Sequence, residues 1–535
     1  MPLELIDLII VVSYFFVVLF IGFYFARKHA GTEDYFLAGR RLAWPAVGFS
    51  LFASNISSST LIGLCGAAYV TGISVSNYEW MAAVVLVFFA IFFIPYYLNS
   101  KVYTMPEFLE RRFRPAVRFY FSGLTIINNV FIDVAGALYG GAVVIKLFWP
   151  EADLILSALL LALVAGLYTA AGGLSAVVYT DVIQAVIIIV GCIAITFIAL
   201  GQVGSWDAVI DNTPPEMLSV VRPIDDATMP WLGLLTGVPI LGFYFWCTNQ
   251  FIVQRVLGAK NIRHARWGAL FAGLLKLPVL FIMVFPGVMA RQLFPDLPNG
   301  DMVFPTLITE LLPPVFKGLM LAGLVAAIMS SVDSTLNSAS TLITMDFVRK
   351  FKPDTSDARL TWIGRFATLF IMVVAASWTP VVQEYEGLFD YLQNMLAFLV
   401  PPVAAIFIMG MFWRRSTGTS ALMAMIVGHA IAAIVLIMRS DGVYPSIEGT
   451  FTGDFANLHF LIHAGIFFAL SCLTVWIVSQ FTAPPSQDQV KNFVFNPEVV
   501  KDATADLPPV PWYKDYRYQS AGLILLTLWL VISYW

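Results

Sequence analysis

The chain has 535 residues, of which 59% are hydrophobic and only 12% are charged, and its formal net charge is −4. Soluble domains are about one-quarter charged, so this composition predicts an integral membrane protein and excludes an ordinary soluble domain. The sequence has neither a basic face nor a recognition motif, so no nucleic-acid partner is expected. The four cysteines and five histidines show no ligand spacing, which argues against a disulfide framework or a metal centre.

Apolar segments long enough to cross a bilayer recur along the whole chain. A membrane-spanning helix needs about 20 mostly apolar residues. Segments of this kind predict an all-α membrane protein with about 14 transmembrane helices, at 5–25, 45–72, 78–98, 119–147, 153–171, 178–202, 231–256, 267–290, 317–345, 361–381, 386–412, 418–438, 457–480 and 518–535. The segment 302–315 is too short to cross and is predicted to belong to an outer loop.

The positive charges predict how these spans are oriented. With the N-terminus outside, the inner loops hold 24 of the 30 Lys and Arg residues, in line with the preference of these residues for the cytoplasmic side. We therefore expect a multi-pass protein of the cell membrane with both termini outside. The acidic segment 203–230 would be an outer loop, and the segment 482–516 would be a cytoplasmic linker.

The most unusual segment is FASNISSST, residues 52–60, where six of the nine residues are polar inside a predicted span. Small polar residues can pack helices together, with hydroxyls bonded back to the i−4 carbonyl. That explanation suits two or three serines better than six polar residues that include an asparagine. The interpretation we favour is a helix that breaks at mid-membrane and turns its freed backbone groups towards a cavity, an ion or a solute.

A second polar cluster lies in VAAIMSSVDSTLNSAST, residues 325–341. On a helix its small and hydroxyl residues share one face, formed by Ala327, Ser330, Ser331, Ser334, Asn337, Ser338 and Thr341. Asp333 lies beside that face, where a carboxylate needs a cation or a proton. A broken helix that offers carbonyls, facing a helix that offers hydroxyls, predicts an all-oxygen sodium site.

Polar residues in other spans are functional candidates, because burying a polar side chain inside a membrane costs free energy. They are Asp181 with Gln184, Glu79, Lys276, Thr248–Gln250 in FYFWCTNQF, and Asp390, Gln393 and Asn394 in LFDYLQNMLAFLVPP. Asp181 could alternatively be a plain helix N-cap. Glu, Lys, Asn and Gln side chains beside a Trp ring suit a neutral polyhydroxylated solute. A carboxylate solute would favour an unpaired Arg, and no predicted span centre contains one.

Interruptions of this kind occur at corresponding positions in two halves of the chain. FASNISSST lies near the start of spans two to six, and FYFWCTNQF lies near the start of spans seven to eleven. Two corresponding interruptions indicate an inverted-repeat transporter.

A series of stretches along residues 30–415 resembles the sodium/solute symporter family, and specifically its sodium/glucose cotransporter branch. They are LFASNISSSTLIG, YEWMAA, YTMPEFLERRF, GGLSAVVYTDVIQ, FWCTNQFIVQRVLGAK, LKLPVLFIMVFPGV, IMSSVDSTLNSASTLITMDF and FDYLQ followed by FWRR. Each stretch is weak alone, but together and in this order they are highly specific.

The resemblance implies a leucine-transporter-type fold, with two inverted five-helix repeats whose first and sixth core helices are broken. The repeats would cover 45–202 and 231–412, separated by the outer loop 203–230. An extra helix with its cytoplasmic loop would occupy 1–44, and the C-terminal helices would occupy 413–535.

The resemblance also implies two binding sites. A sodium site, called Na2, would use the carbonyls of Ala53, Ile56 and Ala327 and the hydroxyls of Ser330 and Ser331. A sugar site would use Asn55, Thr60, Glu79, Asn249, Lys276 and Gln393, with Phe245 and Trp246 stacking on the sugar. Tyr78 and Phe389 would form an outer gate, and Phe251 would replace an inner-gate tyrosine found in a bacterial sugar member.

Two departures from the family pattern affect these sites. Thr60 replaces a longer Gln or His of the characterised sugar members, which leaves one sugar hydroxyl less well reached. Asp333 replaces a Ser or Thr of several members. With Asp181, Ser330 and Ser334 it could form a second sodium site, as some relatives have.

We therefore predict a sodium-coupled symporter, not an enzyme, that imports a sugar such as glucose or galactose by alternating access. Its partners would be the solute, Na⁺ as coupling ion and the lipid bilayer, with no further cofactor. The alternatives are myo-inositol or another polyol, and less closely a carboxylate or an amino acid. A sodium-independent uniporter or channel would need a polar lining through the full membrane thickness, whereas these polar groups cluster near mid-depth.

Overall fold

The described part of the chain is built from helices that follow the predicted spans. The computed structural model describes residues 4–26, 37–148, 151–385, 387–440, 442–503, 505 and 507–535. Its α-helices are Leu5–Ala26, Trp44–Asn55, Ser58–Thr71, Asn77–Phe88, Ile94–Ser100, Met105–Arg112, Pro115–Asn128, Ala135–Phe148, Leu154–Val203, Trp206–Asp211, Trp231–Leu235, Gly237–Phe243, Gln250–Leu257, Ile262–Lys276, Phe285–Leu293, Val303–Leu311, Phe316–Thr341, Arg349–Phe351, Asp357–Gln383, Leu388–Leu399, Pro401–Phe412, Gly418–Met438, Tyr444–Ile447, Phe451–Ala456, Phe460–Gln480, Gln487–Phe493, Pro497–Asp502 and Tyr516–Ser533. Stretches of π-helix continue several of them, at Phe89–Phe93, Asn129–Val134, Tyr244–Thr248, Leu280–Val284 and Leu342–Val348.

Each predicted span falls on one described helix or on consecutive helical segments. Within the described residues, eight helices are long and apolar enough to cross a membrane, and three bent pairs raise that number to eleven. The remaining predicted spans coincide with the apolar helices Leu5–Tyr14 and Leu154–Leu163 and with the Tyr516–Ser533 helix. Large apolar side chains on these helices are exposed, as lipid-facing positions require, for example Trp362, Phe366, Ile437, Leu525 and Trp529.

The predicted turn between the fifth and sixth spans is not seen in the described range 151–385. Leu154–Val203 is one uninterrupted helix of 50 residues. Within it, Val177–Val203 is by itself long and apolar enough to cross a membrane, and Leu154–Leu163 is a shorter apolar helix. Asp181 lies well inside this helix, so the alternative role as a plain N-cap is wrong.

Both predicted helix breaks are confirmed. The first broken helix consists of Trp44–Asn55 and Ser58–Thr71, and its two parts are bent by 56°. In the second broken helix, the π-helical stretch Tyr244–Thr248 ends at Asn249, whose backbone is extended (φ −67°, ψ 126°), and Gln250–Leu257 then begins. The double proline predicted to disturb a helix lies at a 51° bend between Leu388–Leu399 and Pro401–Phe412.

Three arginines counted among the inner-loop charges are in fact buried, namely Arg112, Arg255 and Arg266. Arg112 donates from Nε to the carbonyl of Gly410 (2.8 Å) and from Nη1 to the carbonyl of Ser416 (3.1 Å). Such arginines hold helices together from within the fold.

Candidate functional site

A cavity of about 130 Å³ lies between the two broken helices. Most of the predicted site residues line it: Asn55, Thr60, Tyr78, Glu79, Phe245, Trp246, Phe251, Ser331, Ser334, Phe389 and Gln393. Because these residues come from both halves of the chain, the fold brings the two polar interruptions to one place.

Lys276 does not line this central cavity but lies behind two residues that do. Its Nζ is 2.5 Å from Oε2 of Glu79 and also donates to Oδ1 of Asn55. The ammonium group is fully buried, 5.5 Å from the ring centre of Trp246. A buried charge needs a counter-charge and further hydrogen bonds, and Glu79 and Asn55 supply both. Lys276 therefore positions the polar wall of the cavity.

Asn249 also lies away from the cavity lining, at the break of the second broken helix. It is buried, and its Oδ1 has no hydrogen-bond donor among the residues that the structure describes. The next residue, Gln250, accepts at Oε1 from the backbone N–H of Met105 (2.7 Å) and so anchors the helix that begins there. The site prediction for Asn249 rests on the family resemblance, not on a contact with the cavity.

Thr60 uses its hydroxyl within the first break. Its Oγ1 donates to the carbonyl of Asn55 (2.6 Å), and its backbone N–H donates to Oγ of Ser57 (3.3 Å). The carbonyls at the end of Trp44–Asn55 lose their intrahelical partners, and Thr60 satisfies one of them. Thr60, which replaces the Gln or His of the characterised sugar members, therefore also stabilises the helix break.

The residues predicted for Na2 lie on the two elements expected to hold it. Ala53 and Ile56 are buried at the end of Trp44–Asn55. The Ser331 hydroxyl donates to the carbonyl of Ala327 (2.9 Å) and lines the central cavity near the break. The side chain of Ser330 lies outside what the structure describes. Na2 therefore remains a prediction, with its oxygens on the expected elements.

Two aromatic residues separate the central cavity from a second cavity of about 140 Å³. Tyr78, Phe389 and Gln393 line both cavities. The rings of Tyr78 and Phe389 meet edge to face, with centroids 5.1 Å apart. Phe251 also lines the central cavity, and its ring centroid lies 5.9 Å from that of Phe245. Tyr78 and Phe389 therefore lie where the two cavities meet, and their role as an outer gate remains a prediction.

The structure arranges Asp181 and Ser334 differently from the predicted second sodium site. Oδ2 of Asp181 accepts from Nη2 of Arg255 (3.1 Å) and from Oγ of Ser50 (2.6 Å). The same Nη2 atom donates to Oγ of Ser334 (3.3 Å). The guanidinium group therefore lies between Asp181 and Ser334, two of the four residues predicted for this site, and it neutralises the Asp181 carboxylate. Asp333 is buried on the same helix as Ser334.

One acidic residue of the cavity lining is absent from the sequence-based site. Asp133 lines the central cavity from the π-helical stretch Asn129–Val134. A carboxylate inside a predicted span is a functional candidate by default, so the lone aspartate in FIDVAGALYG was a signal that could have identified it.

Comparisons with known proteins agree with this geometry. The profile of the Sodium:solute symporter family matches residues 35–428. The chain is 36% identical to sodium/myo-inositol cotransporter 2 of Oryctolagus cuniculus, over 94% of this chain and 82% of the relative. It is 35% identical to sodium/glucose cotransporter 4 of Danio rerio, over 96% of this chain and 84% of the relative.

Among solved structures, the chain is similar to a substrate-bound, outward-open Na⁺-coupled sialic acid symporter. The TM-score is 0.76 at 22% identity, over 90% of this chain and 99% of that chain. This likeness confirms the leucine-transporter-type fold that the family resemblance implied. The chain therefore belongs to the sodium:solute symporter family and is a sodium-coupled symporter with many membrane-spanning helices.

Proposed function

We propose that this symporter imports a neutral sugar or a cyclic polyol and that the solute binds in the central cavity. The observation that carries this proposal is the buried group of Lys276, Glu79 and Asn55, which presents a carboxylate and an amide to the cavity. Trp246 and Gln393 line the same cavity. Polar groups that accept and donate, beside an aromatic face, suit a ring that carries hydroxyls. Relatives named for glucose and for myo-inositol are consistent with either solute.

Coupling would arise because sodium and solute share the first break. Sodium at Na2 would hold the carbonyls of Ala53 and Ile56 against the Phe316–Thr341 helix, and Asn55 would then be fixed in the solute site. Tyr78 and Phe389 would close over the bound solute before the cavity opened on the side of Phe251. At ~100 mV each inward Na⁺ contributes about 2.3 kcal/mol, which supports roughly 50-fold accumulation at ~1.4 kcal/mol per decade.

Orientation and cellular location belong to the same proposal. We place the protein in the cell membrane with both termini and the second cavity outside, since the loop charges favour that orientation. Because Arg255 neutralises Asp181, we expect only one coupling sodium ion, bound at Na2. The protein would be a transporter without enzymatic activity.

A thermal-stability screen tests the proposed solute class. A ligand that binds only the folded protein stabilises it by about 2.7 kcal/mol at 100 times its Kd. We expect glucose, galactose or myo-inositol to raise the melting temperature of the purified protein more in NaCl than in choline chloride. Equal shifts in both salts for all three solutes would argue against sodium-coupled binding of this class.

Replacing Lys276 tests the cavity wall. In Lys276→Met, Glu79 loses its counter-charge and Asn55 loses a donor, so we expect solute affinity to fall at least about 100-fold. Sodium alone should still stabilise the variant, because Na2 does not use Lys276. Titration calorimetry measures the affinity, and Lys491→Met on an exposed helix provides the matched control. Unchanged solute affinity in Lys276→Met would refute this part of the site.

The variant Ser331→Ala tests the predicted sodium site Na2. Removing one oxygen ligand in Ser331→Ala should abolish sodium-stimulated uptake into proteoliposomes. Ser377→Ala removes an exposed hydroxyl that bonds only to its own helix, and it should transport normally. If Ser331→Ala kept the sodium dependence of the wild type, the Na2 prediction would be wrong.

The Arg255–Asp181 pair generates a prediction about stoichiometry. Because a resident guanidinium already neutralises Asp181, we expect one sodium ion to move with each solute molecule. Reversal potentials in proteoliposomes with opposed sodium and solute gradients measure this ratio. A ratio of two would contradict the prediction of a single coupling ion.

A further inference from the structure

Asp301 belongs to none of the predicted sites and lies in the wall of the second cavity. It is part of a single helical turn, Gly300–Met302, in the segment between the predicted spans 267–290 and 317–345. The side chain is buried. Because buried polar groups are almost always hydrogen-bonded, the partners of Asp301 show which parts of the molecule it connects.

The main partner of Asp301 is the start of the helix that carries Phe389. Both carboxyl oxygens accept from the backbone N–H of Leu388, at 3.2 Å for Oδ1 and 3.1 Å for Oδ2. Leu388 is the first residue of its helix, and the N-cap residue before it, Gly387, has no side chain that could bond to the helix. The first N–H groups of a helix have no partner within it, so Asp301 caps this helix from a distant part of the chain.

The same carboxyl group reaches a third element. Its Oδ2 atom accepts from the hydroxyl of Tyr139 (3.4 Å), which lies on the Ala135–Phe148 helix. Burial raises the pKa of Asp301 to about 6, but a backbone N–H can donate to an ionised or to a protonated carboxyl group. The bond to Leu388 therefore does not depend on the charge, and the side-chain oxygen of an asparagine could accept it as well.

The turn that carries Asp301 packs on the second half of the first broken helix. A Cβ atom at Gly66 would collide with the carbonyl of Gly300, so the backbones of the helix and the turn are in direct contact. Three residues earlier on the same helix, a Cβ atom at Gly63 would lie 3.0 Å from Cβ of Phe389. The broken helix thus contacts both the turn and the predicted gate residue, and Asp301 joins these two to each other.

We propose that Asp301 is a positioning residue of the outer gate. It holds the start of the Leu388–Leu399 helix beside the first broken helix and so keeps Phe389 against Tyr78. This inference rests on the proposed function, in which these two aromatic residues form the gate. It goes further because it assigns the stability of the closed gate to a residue outside the solute and sodium sites. Without Asp301, the N–H of Leu388 would have to bond to water in the second cavity, and the gate would open more often.

Cysteine labelling on the two sides of the gate tests this inference. Ala137 lines the central cavity, behind the gate, and Ala67 lines the second cavity, in front of it. Ala137→Cys and Ala67→Cys are labelled separately with a water-soluble methanethiosulfonate, on purified protein in nanodiscs with NaCl and no solute. We expect Asp301→Leu to raise the labelling rate of Ala137→Cys roughly 3- to 10-fold, as the loss of one hydrogen bond implies. The rate at Ala67→Cys should stay the same.

Matched variants separate the hydrogen bond from the shape and charge of the side chain. Asp301→Asn keeps an acceptor for the Leu388 N–H and should label at the wild-type rate, whereas leucine has a similar shape but no acceptor. Asp296→Leu removes an exposed carboxyl group from the same segment and should also label at the wild-type rate. Protein with only the four native cysteines gives the background. If Asp301→Leu did not fold, Asp301→Ala would provide the same comparison with a smaller side chain.

Three results would overturn the inference. They are an unchanged rate at Ala137→Cys in Asp301→Leu, an equal rise at Ala67→Cys, and an equal rise in Asp301→Asn. The solute class is tested separately in the same assay, by adding glucose, galactose or myo-inositol to Ala137→Cys with an intact Asp301. If none of these solutes slowed the labelling in NaCl, the proposed function would fail, whereas the comparison of Asp301 variants is made without solute and would still test the gate.

Discussion

The site depends on a lysine that is buried at membrane depth and therefore must be paired. Lys276 meets that requirement with Glu79 and Asn55, which lie on two other helices. The pairing joins the first broken helix to the helices Asn77–Phe88 and Ile262–Lys276. Because of this one constraint, the cavity wall presents hydrogen-bonding groups but no free positive charge. A neutral ring that carries hydroxyls suits such a wall.

In the proposed function, the first break links the coupling ion to the solute. The same short segment contributes the carbonyls predicted to hold sodium, the Asn55 side chain held by Lys276, and the Thr60 hydroxyl that bonds across the break. Sodium binding and solute binding would order the same few residues, so each would favour the other. The second network, around Arg255 and Asp181, joins the Trp44–Asn55 and Gln250–Leu257 helices to the Leu154–Val203 helix.

The polar interruptions in apolar spans indicated where both helices break, since a polar run inside lipid has few structural explanations, and the family resemblance supplied most of the predicted residues around the cavity. The partner of Asp181 was not predictable in this way. Arg255 is 74 residues away along the chain, and a position near a span end indicated an inner loop. Asp133 was overlooked because it stands alone among apolar residues. The contact of Thr60 with Asn55 depends on the geometry of the break, which residue types do not specify.

The most direct test of this account is the accumulation of labelled glucose and myo-inositol in proteoliposomes that contain the wild-type protein. With an inward sodium gradient and an interior-negative potential, we expect the internal concentration of at least one solute to exceed the external concentration. Collapse of the sodium gradient by an ionophore should abolish that excess. Equilibration without accumulation, unaffected by the sodium gradient, would contradict sodium-coupled transport of this solute class.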